Sequence, residues 1–120
     1  MILVTGGLGH IGSATVQALL DLGEQCVLVQ RRRPEIPDGR FTAPVTSVQA
    51  DVKDLNALRA IGSDYSITGI VHMAGSMPWP PSPDEAPVRA ARDALGGLFN
   101  IIEVAQEWGC LLYTSDAADE

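Results

Sequence analysis

Glycines recur at close spacing near the start of the chain, in the stretch Thr5-Gly6-Gly7-Leu8-Gly9-His10-Ile11-Gly12. Gly6, Gly9 and Gly12 stand three residues apart, and the run that begins at Gly7 also satisfies the pattern G-x-G-x-x-G. Glycines in such a turn let the backbone approach a pyrophosphate, and the amides and dipole of a following helix favour the anion. A glycine pattern alone is a weak signal, so the elements around it decide its meaning.

The glycine turn joins a predicted strand to a predicted helix. Ile2-Leu3-Val4 is an aliphatic run without alternation, which is typical of a parallel strand covered on both faces. A helical period follows, and Gly23 stands where a left-handed C-terminal cap belongs. The predicted apolar face of this helix consists of Ile11, Ala14, Ala18, Leu19 and Leu22. This context favours dinucleotide binding over a glycine-rich turn without a ligand.

Strands and helices continue to alternate along the rest of the chain. Further strands are predicted at 26–29, 45–50 and 67–74, and residues 31–44 carry no clear helical period. Asp54 is suited to cap a short helix that continues to Ile61. Alternation of this kind predicts an α/β fold with a parallel sheet.

A proline-rich stretch at residues 78–83 is predicted to be a loop, and a long helix is predicted after it. Its start is left open between Pro83 and Pro87, because Pro87 would fit poorly in a helix interior. One face is predicted to carry Val88, Ala91, Leu95, Leu98, Ile102 and Ala105. The fold class is therefore a Rossmann-type doubly wound parallel sheet, truncated after about four strands and this helix, with residues 1–109 as one NAD(P)-binding domain.

The glycine turn and four later stretches resemble the extended short-chain dehydrogenase/reductases, the family of NAD-dependent epimerases and dehydratases. The turn is similar to T-G-G-x-G-x-I-G, with His10 where an aromatic residue is usual. The later stretches, in the family's order and spacing, are Gln30, Asp51-Val52, Val71-His72-Met73-Ala74-Gly75 and Asn100-Ile101-Ile102-Glu103. Gly97 and Asn100 also match the family's helix pattern, whereas Ala94 and Leu98 replace its usual asparagine and threonine.

The resemblance implies a set of cofactor-binding residues. These residues are Gly6, Gly9, His10, Ile11, Gly12, Arg31, Asp51, Val52, Met73, Ala74 and Gly75. Asp51 and Val52 would lie beside the adenine ring, although an aspartate at such a place is more often a solvated strand end or a helix cap. His72 is expected to be a buried histidine that holds structure and relays no proton.

The residues that follow the second strand bear on the choice of dinucleotide. An acidic residue about 20 positions beyond the glycine turn binds the adenosine ribose in NAD enzymes, and a nearby arginine accommodates the 2′-phosphate of NADP. Gln30 occupies this position and is followed by Arg31, Arg32 and Arg33. Glutamine carries no charge that repels a phosphate, and arginine offers a fork of donors to one. NADP is therefore the preferred cofactor, and NAD is a possible one. Arg31 is the predicted phosphate ligand, and the alternative is that the three arginines form an exposed basic loop without a ligand.

The family's catalytic motif is missing from this sequence. Relatives use Y-x-x-x-K, in which a tyrosine moves the substrate proton and a lysine lowers its pKa. Tyr65 and Tyr113 are followed four places later by Gly69 and Ala117, and Lys53 is the only lysine. We therefore assign no catalytic residue to this chain.

The missing Y-x-x-x-K motif leaves three interpretations of the function. The first is the NAD(P)-binding portion of an oxidoreductase or a sugar-nucleotide epimerase/dehydratase that transfers hydride at a carbonyl or secondary alcohol in a longer parent. The alternative is a non-catalytic dinucleotide sensor or regulator with the same fold. A nucleotide-free interaction module of this fold is a third possibility, because fold does not fix function. Residues 110–120 are either the remnant of a fifth strand or a non-native tail that resembles translated adapter sequence.

Composition excludes several other classes. The net charge of -7, with 8 Lys and Arg against 15 Asp and Glu, disfavours nucleic acid as a partner. No apolar stretch approaches the about 20 residues that span a bilayer, and two distant cysteines predict a reducing, cytoplasmic setting. No metal site is predicted. The resemblance further implies a small-molecule substrate and a homodimer for the parent, in which the long helix pairs with that of a second subunit.

Overall fold

The structure is a computed structural model that describes residues 1–32, 36–74 and 87–114. Five strands form one sheet: β1 (Ile2–Thr5), β2 (Cys26–Gln30), β3 (Thr46–Gln49), β4 (Gly69–His72) and β5 (Leu111–Thr114). Three helices accompany it: α1 (His10–Asp21), α2 (Leu55–Asp64) and α3 (Pro87–Trp108). The helix and strand order predicted from the sequence is confirmed.

The sheet is parallel, with the strand order β3-β2-β1-β4-β5. The chain builds outward from β1 in one direction to β3 and then returns to place β4 on the other side of β1. The register sets the strand ends level, because Thr5 is paired with Val29 on one side and with His72 on the other. The reversal of strand order beside β1 is the position at which open α/β sheets bind ligands.

The two faces of the sheet carry separate hydrophobic clusters. The face covered by α2 and α3 contains Leu3, Val27, Val29, Ala50, Leu58, Ile61, Ile67, Ile70, Ile101, Val104 and Ala105. The face covered by α1 contains Val4, Val16, Cys26 and Leu28. Both faces of β1 and β2 are therefore buried, which explains why these strands are aliphatic throughout and show no alternation. The doubly wound fold is confirmed.

Of the five residues predicted to form the inner face of α1, Leu19 packs against the core and the other four are exposed. The buried residues of this helix are Gly12, Ser13 and Val16, whereas Ile11 and Leu22 are 57% and 78% exposed. A helix that lies very close to a turn and a sheet needs small residues at the contact, and a search for apolar side chains passes over them. The prediction of the C-terminal cap is confirmed, because Gly23 has a φ of 85°.

The predicted inner face of α3 is also wrong. Ile101, Val104 and Ala105 are buried, and Gly97 packs against Val52. Of the residues predicted to face inward, Ala105 is buried, while Val88, Leu95 and Ile102 are exposed by 64%, 49% and 37%. The helix has two apolar stripes, and the one that contains Ile101, Val104 and Ala105 packs into the core.

Other local predictions differ from the structure only at their ends. Asp54 caps α2 by accepting a hydrogen bond from the amide of Ala57 at 3.1 Å, as predicted. Strand β4 ends at His72, two residues before its predicted end. The sheet contains five strands where about four were predicted, since residues 111–114 pair with β4. The assignment of residues 110–120 as native or non-native stays a prediction.

Candidate functional site

A cavity of about 270 Å³ opens where β1, β2, β3 and β4 end. Its walls come from the carboxyl ends of these strands and from the first turns of α3. The lining residues are Gly6, Val29, Gln30, Arg31, Ala50, Asp51, Val52, Lys53, His72, Ala74, Asp93 and Ala94. The cavity therefore lies at the reversal of strand order, where the fold predicts a ligand.

The glycine turn forms one end of this site through close contacts between backbone atoms. Gly6 has a φ of 69°, and a Cβ atom built there would lie 2.9 Å from the amide nitrogen of Ala74 and from the carbonyl group of Met73. A Cβ atom at Gly12 would collide with the carbonyl oxygen of Gly6. Only glycine fits both positions, because the turn is pressed between β4 and α1.

Helix α1 begins directly after the turn and presents its first amides there. Gly9 occupies the cap position without a side chain to accept hydrogen bonds, and the amide of Ser13 makes the first helical bond, to the carbonyl of Gly9 at 2.9 Å. The amides of His10, Ile11 and Gly12 are donors without a partner within the helix. Together with the helix dipole they suit an anionic group.

Two aspartates and a lysine form the opposite end of the cavity. The Asp51 carboxylate accepts a hydrogen bond from the amide of Lys53 at 2.9 Å. The Lys53 ammonium lies 3.9 Å from Asp51 and 3.9 Å from Asp93, and all three side chains are at least one-third exposed. Asp51 orders the loop after β3 and also lines the cavity, and its place beside an adenine ring stays a prediction.

Asn100 on α3 fixes the backbone of this loop. Its amide group donates a hydrogen bond to the carbonyl of Val52 at 3.0 Å. Gly97, one turn earlier, would place a Cβ atom 2.7 Å from a methyl group of Val52. These two residues, which match the family's helix pattern, explain how α3 approaches the loop after β3.

The end of β2 presents an amide and a guanidinium group. Both Gln30 and Arg31 line the cavity. The Nε2 atom of Gln30 is buried and has no hydrogen-bond partner among the described residues. Arg31 and Arg32 are exposed, and Arg32 does not line the cavity.

The end of β4 is held against β1 by Thr5. The Thr5 hydroxyl lies 2.7 Å from Nδ1 of His72 and accepts hydrogen bonds from the amides of Met73 and Ala74, each at 3.0 Å. Thr5 is fully buried and His72 is 7% exposed. The interpretation of His72 as a buried residue that holds structure agrees with these contacts.

The structure brings together part of the predicted cofactor set. Gly6, Arg31, Asp51, Val52 and Ala74 share the cavity. Other predicted residues lie at the turn outside its lining, namely Gly9, His10, Ile11 and Gly12. Met73 follows β4 without lining the cavity, and Gly75 lies outside the described residues.

Sequence reasoning passed over two residues of this region. Thr5 precedes the first glycine and ends β1, and its position at a strand end was the available signal. Asp93 reaches the cavity from α3, and nothing in its local sequence distinguishes it from any solvated helix residue. No group of three or more metal-ligating side chains occurs in residues 1–32, 36–74 and 87–114. None of the described helices combines the length and apolar character of a membrane span.

The fold and the site together define a Rossmann-type domain of the dinucleotide-binding class. Residues 2–118 match the sequence model of the NAD dependent epimerase/dehydratase family. The chain belongs to this family, which confirms the resemblance found in its sequence.

The chain is similar in sequence to curated UDP-glucose 4-epimerases. It is 32% identical to the enzyme of Lacticaseibacillus casei over 98% of this chain and 35% of that protein. It is 31% identical to UDP-glucose 4-epimerase 2 of Arabidopsis thaliana, over 97% of this chain and 36% of that protein. The chain thus spans about a third of the length of these relatives.

Solved structures show the same fold. L-threonine dehydrogenase of Clostridium difficile matches with a TM-score of 0.75 and 30% identity, over 94% of this chain and 35% of that one. UDP-glucose 4-epimerase of Bifidobacterium longum, solved with NAD+ and UDP, matches with a TM-score of 0.81 and 22% identity, over 97% of this chain and 37% of that one. The second likeness concerns the fold alone.

Proposed function

We propose that this chain is the NAD(P)-binding portion of an oxidoreductase or a sugar-nucleotide epimerase/dehydratase. In the longer protein the bound nicotinamide would transfer hydride at a carbonyl or secondary alcohol of a small-molecule substrate. The observation that carries the proposal is the cavity at the reversal of strand order, with the glycine turn at one end and Asp51 at the other. A family that depends on NAD supports the same conclusion.

The residues present fit a dinucleotide at three points. Gly6 and Gly12 leave no room for a Cβ atom, so the turn keeps the tight backbone path that a pyrophosphate-binding turn requires. Asp51 and Val52 line the cavity, which supports the proposal that they meet the adenine base. The buried Nε2 of Gln30 needs an acceptor, which a ribose hydroxyl or a phosphate would supply.

NADP is the dinucleotide we expect this chain to prefer. The last residue of β2 is Gln30, which carries no negative charge to repel a 2′-phosphate. Arg31 follows at the cavity wall and can make a charge-assisted bond to such a phosphate. NAD lacks this phosphate and would gain nothing from Arg31.

Titration with NADPH and NADH, followed by nucleotide fluorescence, tests both parts of the proposal. We expect NADPH to bind more tightly than NADH. Replacement of Arg31 by alanine should weaken NADPH binding by about tenfold, the lower end for a charge-assisted bond, and leave NADH unchanged. The matched control is Arg32→Ala, which removes an equal charge outside the cavity and should change neither affinity.

The titration tests the NADP preference and the proposed dinucleotide binding separately. Equal or tighter binding of NADH would show that the NADP preference is wrong and leave the dinucleotide site intact. Binding of neither dinucleotide would overturn the proposed function. Gln30→Glu gives an independent check, because a carboxylate at the end of β2 should shift the preference towards NADH.

The exposed stripe of α3 supports a homodimer of the longer protein. Val88, Leu95, Phe99 and Ile102 are 64%, 49%, 62% and 37% exposed. Large apolar side chains grouped in this way mark contact surfaces in soluble proteins. Light scattering on the purified chain should show association that Phe99→Glu abolishes, and a wild-type monomer at high concentration would contradict this. A cytoplasmic location stays a prediction from the cysteine content.

A further inference from the structure

The Thr5 hydroxyl has three polar neighbours but only one hydrogen atom. Its Oγ1 atom lies 2.7 Å from His72 Nδ1, 3.0 Å from the amide nitrogen of Met73 and 3.0 Å from that of Ala74. A threonine hydroxyl can donate one hydrogen bond and accept two. All three contacts are short enough to be hydrogen bonds, so their directions can be assigned.

The directions follow from the two amides. Backbone amides can only donate, so Thr5 Oγ1 accepts from Met73 and Ala74 and both of its lone pairs are used. The one hydrogen of the Thr5 hydroxyl is then available for the remaining contact, as a bond to His72 Nδ1. In that arrangement His72 Nδ1 carries no proton, and a neutral imidazole holds its proton on Nε2.

We propose that His72, as the neutral Nε2–H tautomer, is a positioning residue for the cofactor cavity and acts through Thr5. By accepting the only hydrogen of the Thr5 hydroxyl, His72 fixes the rotation of that group. Both lone pairs then face the amides of Met73 and Ala74. This inference rests on the proposed dinucleotide binding, because the position of Ala74 concerns the cofactor only through the cavity wall that it forms.

The contact with the glycine turn shows what this positioning achieves. Residues 73–74 pass so close to Gly6 that a Cβ atom there would lie 2.9 Å from the Ala74 nitrogen. Gly6 and Ala74 both line the cavity. A small rotation of the backbone after β4 would therefore narrow the cavity or displace the glycine turn.

The other tautomer would break this arrangement. A proton on Nδ1 would make His72 a third donor to a hydroxyl oxygen that has two lone pairs. The amide of Met73 also has the carbonyl of Thr5 as an acceptor at 3.2 Å. The amide of Ala74 has no second acceptor among the described residues, so it would be left without a partner if the Thr5 hydroxyl turned away from it.

Nitrogen NMR of the histidine side chains tests the tautomer without any cofactor. The chain has only two histidines, and exposed His10 serves as the internal reference. We expect His72 Nδ1 to show the shift of an unprotonated ring nitrogen near neutral pH, and Nε2 that of a protonated one. A protonated Nδ1 would overturn the proposal, whether or not the chain binds a dinucleotide.

Two substitutions test the positioning itself. His72→Phe removes the acceptor, whereas His72→Asn retains one near the position of Nδ1. We expect the phenylalanine variant to speed hydrogen exchange of the Ala74 amide and weaken NADPH binding by about five- to tenfold, the effect of one lost hydrogen bond. The asparagine variant should recover most of both effects, which general loss of packing would not allow.

The outcomes separate this inference from the proposed function. Equal exchange and affinity in the phenylalanine and asparagine variants would overturn the positioning role. A wild-type chain that shows the expected tautomer but binds neither NADPH nor NADH would overturn the proposed function instead. If the phenylalanine variant fails to fold, the tautomer of the wild-type chain still decides whether His72 can act through Thr5.

Discussion

Replacement of Gly12 by alanine should destabilise the chain, although alanine is the better helix former. A methyl group at this position would collide with the carbonyl oxygen of Gly6 and lie 2.9 Å from its carbonyl carbon and 3.1 Å from the Cα atom of Gly7. All three contacts are with backbone, so no side-chain rotation relieves them. Overpacking costs about 3 kcal/mol at the upper end of its usual range. The higher helix propensity of alanine contributes about 1 kcal/mol in the opposite direction, so the free energy of unfolding should fall by about 2 kcal/mol.

Gly96→Ala is the matched control for this prediction. Gly96 lies inside α3, and a Cβ atom there meets no other atom within 4 Å. The same gain in helix propensity should then stabilise the chain by about 1 kcal/mol. Urea unfolding followed by circular dichroism measures both free energies of unfolding. If Gly12→Ala is as stable as Gly96→Ala, the close approach of α1 to the glycine turn is wrong.

Three further predictions concern separate contacts. Asn100→Ala should lower the free energy of unfolding by about 1 kcal/mol in urea unfolding, because the carbonyl of Val52 loses its donor. Hydrogen bonds from Arg59 lower the pKa of Glu107. This pair therefore stabilises the fold above the pKa of the unfolded glutamate, and the stabilisation is lost as the pH falls through the pKa of the folded state. Glu107→Gln should reduce acid destabilisation in a pH series of unfolding curves. Burial raises the pKa of the Cys26 thiol, so an alkylating reagent followed by mass spectrometry should modify Cys26 only after the chain unfolds.

The order of elements and the place of the site were predictable from the sequence. Aliphatic runs without alternation, such as Cys26-Val27-Leu28-Val29, indicate strands buried on both faces. This pattern can be recognised without knowing which strands pair with them. The glycine turn placed the candidate site at the end of β1. The alternation of strands and helices predicted that the sheet is parallel, and the order of its strands came from the structure.

The inner faces of α1 and α3 could not be predicted from apolar periodicity. In α1 the buried residues are Gly12, which lies against the glycine turn, and Ser13 and Val16, and in α3 Gly97 makes the close contact with Val52. Small residues allow a helix to approach closely, and a hydrophobic scale gives them little weight.

Affinity and specificity for the dinucleotide depend on different parts of this site. The glycine turn acts through backbone geometry, so it restricts residue type at Gly6 and Gly12 and is visible in the sequence. Arg31 acts through its exposed side chain just after β2, where the fold places little restriction on residue type. Substitutions in the turn should therefore weaken NADPH and NADH binding together and reduce stability. Substitutions of Arg31 should change the ratio of the two affinities while the free energy of unfolding stays the same.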